Sequence, residues 1–151
     1  MATLVAMTVE QQLAHVREVL DQKAWEITSI DASTFTVSMS ASDGSLFVLR
    51  VVCDKYPGFP PAFHWCDPET GALGQPKNTP AANGGFFHGK GVICAPWNRL
   101  AYSSEDARGP HGDWDIGNWR TNSHTKACTT LLAMLLRIDY ELKHKFKGRM
   151  A

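Results

Sequence analysis

Cys94 ends the short run Gly91-Val92-Ile93-Cys94, with Pro96 and Trp97 just beyond it and His88 upstream. Its thiol has three chemical options: a buried core group, a metal ligand or a nucleophile. A nucleophile must be reachable, and the surrounding residues allow that. Gly89 and Gly91 permit tight turns and close approach by another chain. Pro96 lacks a backbone N–H, so strand pairing stops soon after the cysteine. His88 lies six residues upstream, about 20 Å if the chain is extended at ~3.3 Å per residue, so contact with the thiol needs a chain reversal.

The remaining cysteines, Cys53, Cys66 and Cys128, lie far apart with no CxxC pair, and they read as free core thiols in a reducing compartment. A zinc site would have to draw on Cys94, His88, His111, His124 and Cys128. None of these has the short CxxC or HxxxH spacing of structural zinc, although His124 and Cys128 would share a face of a helix. A cysteine hydrolase built on a Cys94–histidine dyad is a further option, without the local signatures of the known families. Downstream of Cys94 a polar loop carries Tyr102, Glu105, Asp106, His111, Asp113 and Asp115. In a solvated loop such carboxylates are ordinary; beside a reacting centre they can accept a proton.

These residues need a scaffold. The chain has 151 residues, which favours one domain over residues 1–151. A core of that size buries roughly 70% of the unfolded surface. Hydrophobic residues make up 44% and charged residues 20% with zero net charge, so nothing global points to nucleic acid or an anionic membrane. No apolar run reaches the ~20 residues of a membrane span. The first residues lack a basic region and a long apolar core, so a cytoplasmic protein is expected.

Val9, Leu13, Val16 and Leu20 recur at helical spacing, and Thr8 with Gln11 forms a capping-box pattern. Three strand-like runs follow, "AWEITSI" with Trp25, Ile27 and Ile30 inward, "TFTVSMS" and "SLFVLRVVC". Asp43-Gly44 supplies a hairpin turn between the last two, and "AFHWC" reads as a fourth strand. The pattern is an antiparallel meander. Pro57, Pro60 and Pro61 exclude regular structure between the third and fourth strands. Residues 71–91 hold six glycines and two prolines and read as ordered loop, as does the polar stretch to residue 123. A final helix is predicted over residues 123–145, burying Ala127, Leu131, Met134, Leu135, Ile138 and Leu142, with its basic tail in solvent. Trp97 and Trp119 read as packing anchors.

In this order the elements resemble the ubiquitin-conjugating enzyme family. The resemblance rests on an N-terminal helix, a four-stranded meander, Tyr56-Pro57-Gly58-Phe59-Pro60-Pro61, and Gly91-Val92-Ile93-Cys94. Trp119 follows downstream, ahead of a C-terminal helix. It spans nearly the whole chain. The chain departs from the family in three ways. Gly84-Gly85-Phe86-Phe87 stand where His-Pro-Asn-Ile is usual, Ala95-Pro96 replaces Leu-Asp, and the loop from Cys94 to Trp119 is long. Such departures look like divergent bacterial members from ubiquitin-like conjugation operons, some linked to antiviral defence.

The resemblance implies an α+β fold of the conjugating-enzyme type, with long active-site loops. It implies an acyltransferase whose Cys94 accepts a ubiquitin-like modifier as a thioester from an activating enzyme and passes it to an amine, a lysine, of a protein target. No cofactor is implied. The family's asparagine stabilises the oxyanion; His88, Asn83 or backbone amides are the candidates to replace it, and Asn83-Gly84 is also a plain turn signal. Asp113 or Asp115 would help position or deprotonate the acceptor, and His111 is a gate candidate. Arg17 on the first helix would meet the activating enzyme, while Phe59 and Pro60 would form an apolar tip for a ligase. The alternative is a non-catalytic module of the same fold that only binds a ubiquitin-like protein.

Overall fold

The structure, a computed structural model, describes residues 8–150. The reading of the first seven residues as lacking a secretory signal lies outside the described residues. Helix α1 (Val9–Arg17) opens the chain. Thr8 caps it by accepting from the Gln11 backbone N–H, and the Gln11 side chain accepts in turn from the Thr8 backbone, which completes the capping box. The helix ends earlier than the apolar stripe suggests. Leu20 lies in a separate turn, α2 (Leu20–Lys23), closed by Ala24 in the left-handed region with φ 57°.

Four strands follow, β1 (Glu26–Asp31), β2 (Thr34–Ser40), β3 (Leu46–Val52) and β4 (Ala62–Cys66). They form one antiparallel sheet in sequential order. Alternation sends Phe35, Val37, Met39, Phe47, Leu49, Val51, Phe63 and Trp65 into the core. The β2–β3 hairpin turns at Asp43-Gly44, where Gly44 adopts φ 86° and Asp43 Oδ1 accepts from the Ser45 N–H. Strand β1 is an edge: Trp25 just before it is buried, Ile27 is half-buried, and Ile30 is exposed rather than inward.

Helix α3 (Leu131–His144) lies against α1 and the sheet, burying Leu131, Met134, Leu135, Ile138 and Leu142. It starts eight residues later than the periodicity suggests. Lys126 and Ala127 adopt φ 51° and 65°, which an α-helix cannot contain, so Ala127 is exposed and His124 and Cys128 lie in the preceding loop. Polar side chains compete with helix formation here. Asn122 Oδ1 accepts from the His124 N–H, and the buried Thr125 hydroxyl donates to the Trp119 carbonyl. Thr130 then caps α3 by accepting from the Ala133 N–H. Buried Gln12 joins the two helices, its Oε1 accepting from the Leu131 N–H at 2.8 Å. The Trp25 indole N–H and the Lys143 ammonium both reach buried Asp139.

The basic side chains His144, Lys145, Lys147 and Arg149 of the tail are exposed, as expected, but its backbone is not free. It turns back so that Ala81 and Met150 donate to the Gly148 and Thr79 carbonyls, and Phe146 and Arg149 pack on Phe47. No helix among the described residues is long and apolar enough to cross a membrane.

Asn98 anchors the strand-to-loop region around Cys94. It is 0% exposed. Its Nδ2 donates to the Ile93 carbonyl at 2.8 Å, and its Oδ1 accepts from the N–H groups of Phe63 and Leu100. Replacing it leaves three buried backbone groups without partners, each worth roughly 1–3 kcal/mol. Asn98→Ala is therefore expected to lower unfolding free energy by about 3 kcal/mol or more, read as a lower urea midpoint at unchanged slope.

Candidate active site

Cys94 lies at the end of a small hairpin. Phe87 pairs with Ile93 across it, the Cys94 N–H donates to the Phe86 carbonyl, and Gly91 makes the turn with φ 86°. Val92 packs with Ala62 and Leu100 while Ile93 enters the main core, so the hairpin is held on both sides. Beyond Cys94 the chain turns sharply, with Asn98 donating to the Ala95 carbonyl and the Tyr102 hydroxyl donating to the Pro96 carbonyl at 2.6 Å.

The long loop then returns. Tyr102 and His111 form a parallel bridge, with the His111 N–H on the Ala101 carbonyl and the Ser103 N–H on the His111 carbonyl, both at 3.0 Å. Gly109 makes this approach possible, since a Cβ there would come within 2.5 Å of the Tyr102 carbonyl. The return delivers His111 to the thiol: Nε2 lies 3.2 Å from Cys94 Sγ, and Nδ1 lies 3.0 Å from Asp113 Oδ1. The ring stacks on Trp114 at 3.4 Å and 5°, which fixes its plane. With a carboxylate at Nδ1, the neutral imidazole carries its proton there, leaving the Nε2 lone pair for the thiol proton.

The electrostatics agree with a resting thiol. Burial pushes the Cys94 thiol up, and the Asp113 charge adds to that. The hydrogen bond from His111 holds the Asp113 carboxyl below the usual range. Cys53 is buried and pushed up to about 12 by burial, and Cys66 is buried and also raised. Cys128 is half-buried and borders the same cavity as Cys94. That cavity, about 290 Å³, is walled by Phe86, Trp97, Trp114, His124, Lys126 and Arg137. Among the described residues no group of three or more His, Cys, Asp or Glu side chains could hold a metal ion.

Of the residues singled out from the sequence, the fold brings Cys94 and Asp113 together through His111. It does not bring His88 or Asn83 to the thiol. His88 sits at the hairpin turn, pairing with Val92 while its Nδ1 accepts from the Lys90 N–H. Asn83 spends its side chain on structure, donating to Glu141 and the Lys145 carbonyl and accepting from the Phe87 N–H at 2.8 Å. Asp115 caps the turn at residues 116–121. Arg17 is exposed, 3.5 Å from the Ser29 hydroxyl. Phe59 is half-buried under Lys55, and Pro60 is buried rather than at a tip. Sequence reasoning missed Asn98 and Trp114; the one signal for Trp114 was its place between two aspartates.

Iodoacetamide should alkylate the two half-buried thiols, Cys94 and Cys128, with Cys53 and Cys66 protected in the folded protein, so the Cys94 rate is read in a Cys128→Ser background. The Cys94 rate should climb through the alkaline range, because only the thiolate reacts. Asp113→Asn removes a charge that raises the thiol, so its profile should move to lower pH. An unchanged or higher midpoint would contradict this electrostatic picture.

No protein-family model, curated protein or solved structure matches the chain.

Proposed function

We propose that the chain is a ubiquitin-like-protein conjugating enzyme that carries its modifier as a thioester on Cys94. The observation that carries this reading is the hydrogen-bonded series Cys94–His111–Asp113 at the edge of an open cavity. It is supported by the α+β frame and by Tyr56-Pro57 and Gly91-Val92-Ile93-Cys94 in family order.

In the first step His111 Nε2 takes the Cys94 proton, and the thiolate attacks the carbonyl carbon of the modifier's thioester on an activating enzyme. The carbon–sulfur bond to that enzyme breaks, and its departing thiolate takes the proton. In the second step an amine of the target attacks the new thioester, its proton passes to His111, and Cys94 leaves as thiolate and is reprotonated. Asp113 keeps the imidazole oriented and balances its positive charge, and the Trp114 face attracts the imidazolium. The oxyanion falls to backbone N–H groups rather than to His88 or Asn83. Ala95 and Trp97 line the cavity, and their backbone N–H groups make no hydrogen bond among the described residues.

The same series favours a second reading, a cysteine hydrolase, because an Asp-His-Cys arrangement also activates water. Incubation with a matched activating enzyme, modifier and ATP separates the two. Conjugation gives an adduct on Cys94 that reducing agent removes and Cys94→Ala abolishes. His111→Ala should slow its formation and discharge by roughly 10²–10⁴-fold. Cleavage of a modifier precursor without any adduct would favour the hydrolase. Stable binding of the modifier with neither product would favour a non-catalytic module.

A further inference from the structure

The walls of the Cys94 cavity have a charge pattern that bears on the acceptor. Lys126 and Arg137 border it, and among the described residues no aspartate or glutamate does. Arg137 is paired with buried Glu141 and lies over Phe86, whereas Lys126 makes no ion pair among the described residues. Asp113, whose charge reaches the Cys94 thiol, is engaged by His111 Nδ1. A lysine acceptor reaches such a site as an ammonium, because its pKa is about 10.4. It would have to shed water beside the unpaired Lys126 ammonium, while Asp113 is held against His111 Nδ1 through one of its two oxygens.

A hydroxyl meets neither obstacle. It arrives neutral, and what it lacks is nucleophilicity, which an adjacent base supplies. Once Cys94 is acylated it has no thiol proton, and His111 Nε2 stands beside the sulfur with its lone pair open. Resting on the acyl-transfer reading, we infer that this site favours a side-chain hydroxyl, of serine or threonine, as acceptor, with lysine transfer the slower branch. The acceptor O–H bond breaks and its proton passes to Nε2 as oxygen bonds to the thioester carbonyl carbon. The carbon–sulfur bond then breaks, and the Cys94 thiolate recovers the proton from Nε2–H. The net change is thioester plus alcohol to oxyester plus thiol, with no redox partner.

The test uses the full chain loaded with a peptide ending in Gly-Gly, supplied as its mercaptoethanesulfonate thioester. The loaded protein is separated from excess thioester and chased at neutral pH with two acetylated peptides that differ only in a central serine or lysine. Mass spectrometry reads the products, and hydroxylamine distinguishes ester from amide. The expected result is serine transfer faster than lysine transfer by about tenfold or more, with His111→Gln lowering serine transfer by about 10²-fold or more. Asp113→Asn, a milder change at an exposed residue, should reduce serine transfer in the same direction. Lys126→Glu should narrow the serine preference by admitting lysine. Equal or faster lysine transfer, serine transfer indifferent to His111→Gln, or discharge to water alone would overturn the inference and leave the thioester reading standing. Failure to load Cys94 while iodoacetamide still alkylates it would sink that reading and the inference with it.

Discussion

The return of the long loop onto Ala101 and Tyr102 is the constraint on which the candidate site depends. Cys94 and His111 are 17 residues apart, and no local helix or strand spacing would join them. The parallel bridge at Tyr102 and His111 closes that gap, and it needs both partners rigid. On one side Asn98 locks the turn after Cys94 from the interior, while the Tyr102 hydroxyl ties the ring back to Pro96. On the other, Gly109 lets the backbones come closer than any side chain would permit. Fixing a loop of this kind costs roughly 1–2 kcal/mol of entropy per residue. Buried Tyr102, Trp97 and Ala101 supply apolar contact to offset it.

Within that frame the charges are arranged for proton transfer rather than for a standing thiolate. Burial and Asp113 both disfavour ionised Cys94, so the proton remains on sulfur until a base removes it. An imidazole is adjacent, its far nitrogen is held by a carboxylate, and its ring plane is set by an indole. The arrangement differs from one that relies on an asparagine upstream of the cysteine. Here the upstream residues Asn83 and His88 are used to build the hairpin, and the hydrogen-bonded partners of the thiol come from downstream.

Much of the frame was legible from residue pattern. The Thr8–Gln11 cap, the strict alternation of β2 and the Asp43-Gly44 turn are local signals, and each is found where expected. Cys94 was legible as a candidate because glycines and a proline flank it. What pattern missed depends on distant contacts. The start of α3 was displaced because Thr125 is claimed by Trp119, a contact invisible to helical periodicity. Ile30 sits at a sheet edge, where alternation does not guarantee burial. The tail looked solvated by charge, yet Phe146 and Arg149 find Phe47 across the fold. Asp113 was named without its route to the thiol, because His111 reaches Cys94 only by the loop's return.

His111 Nδ1 faces the Asp113 carboxylate and Nε2 faces the Cys94 thiol, so the site turns on which ring nitrogen carries the proton. Nitrogen-15 NMR of the histidine ring reads this tautomer directly. A single His111 tautomer protonated at Nδ1 is expected, lost in Asp113→Asn. A ring protonated at Nε2, or one averaging between tautomers as in free solution, would contradict it.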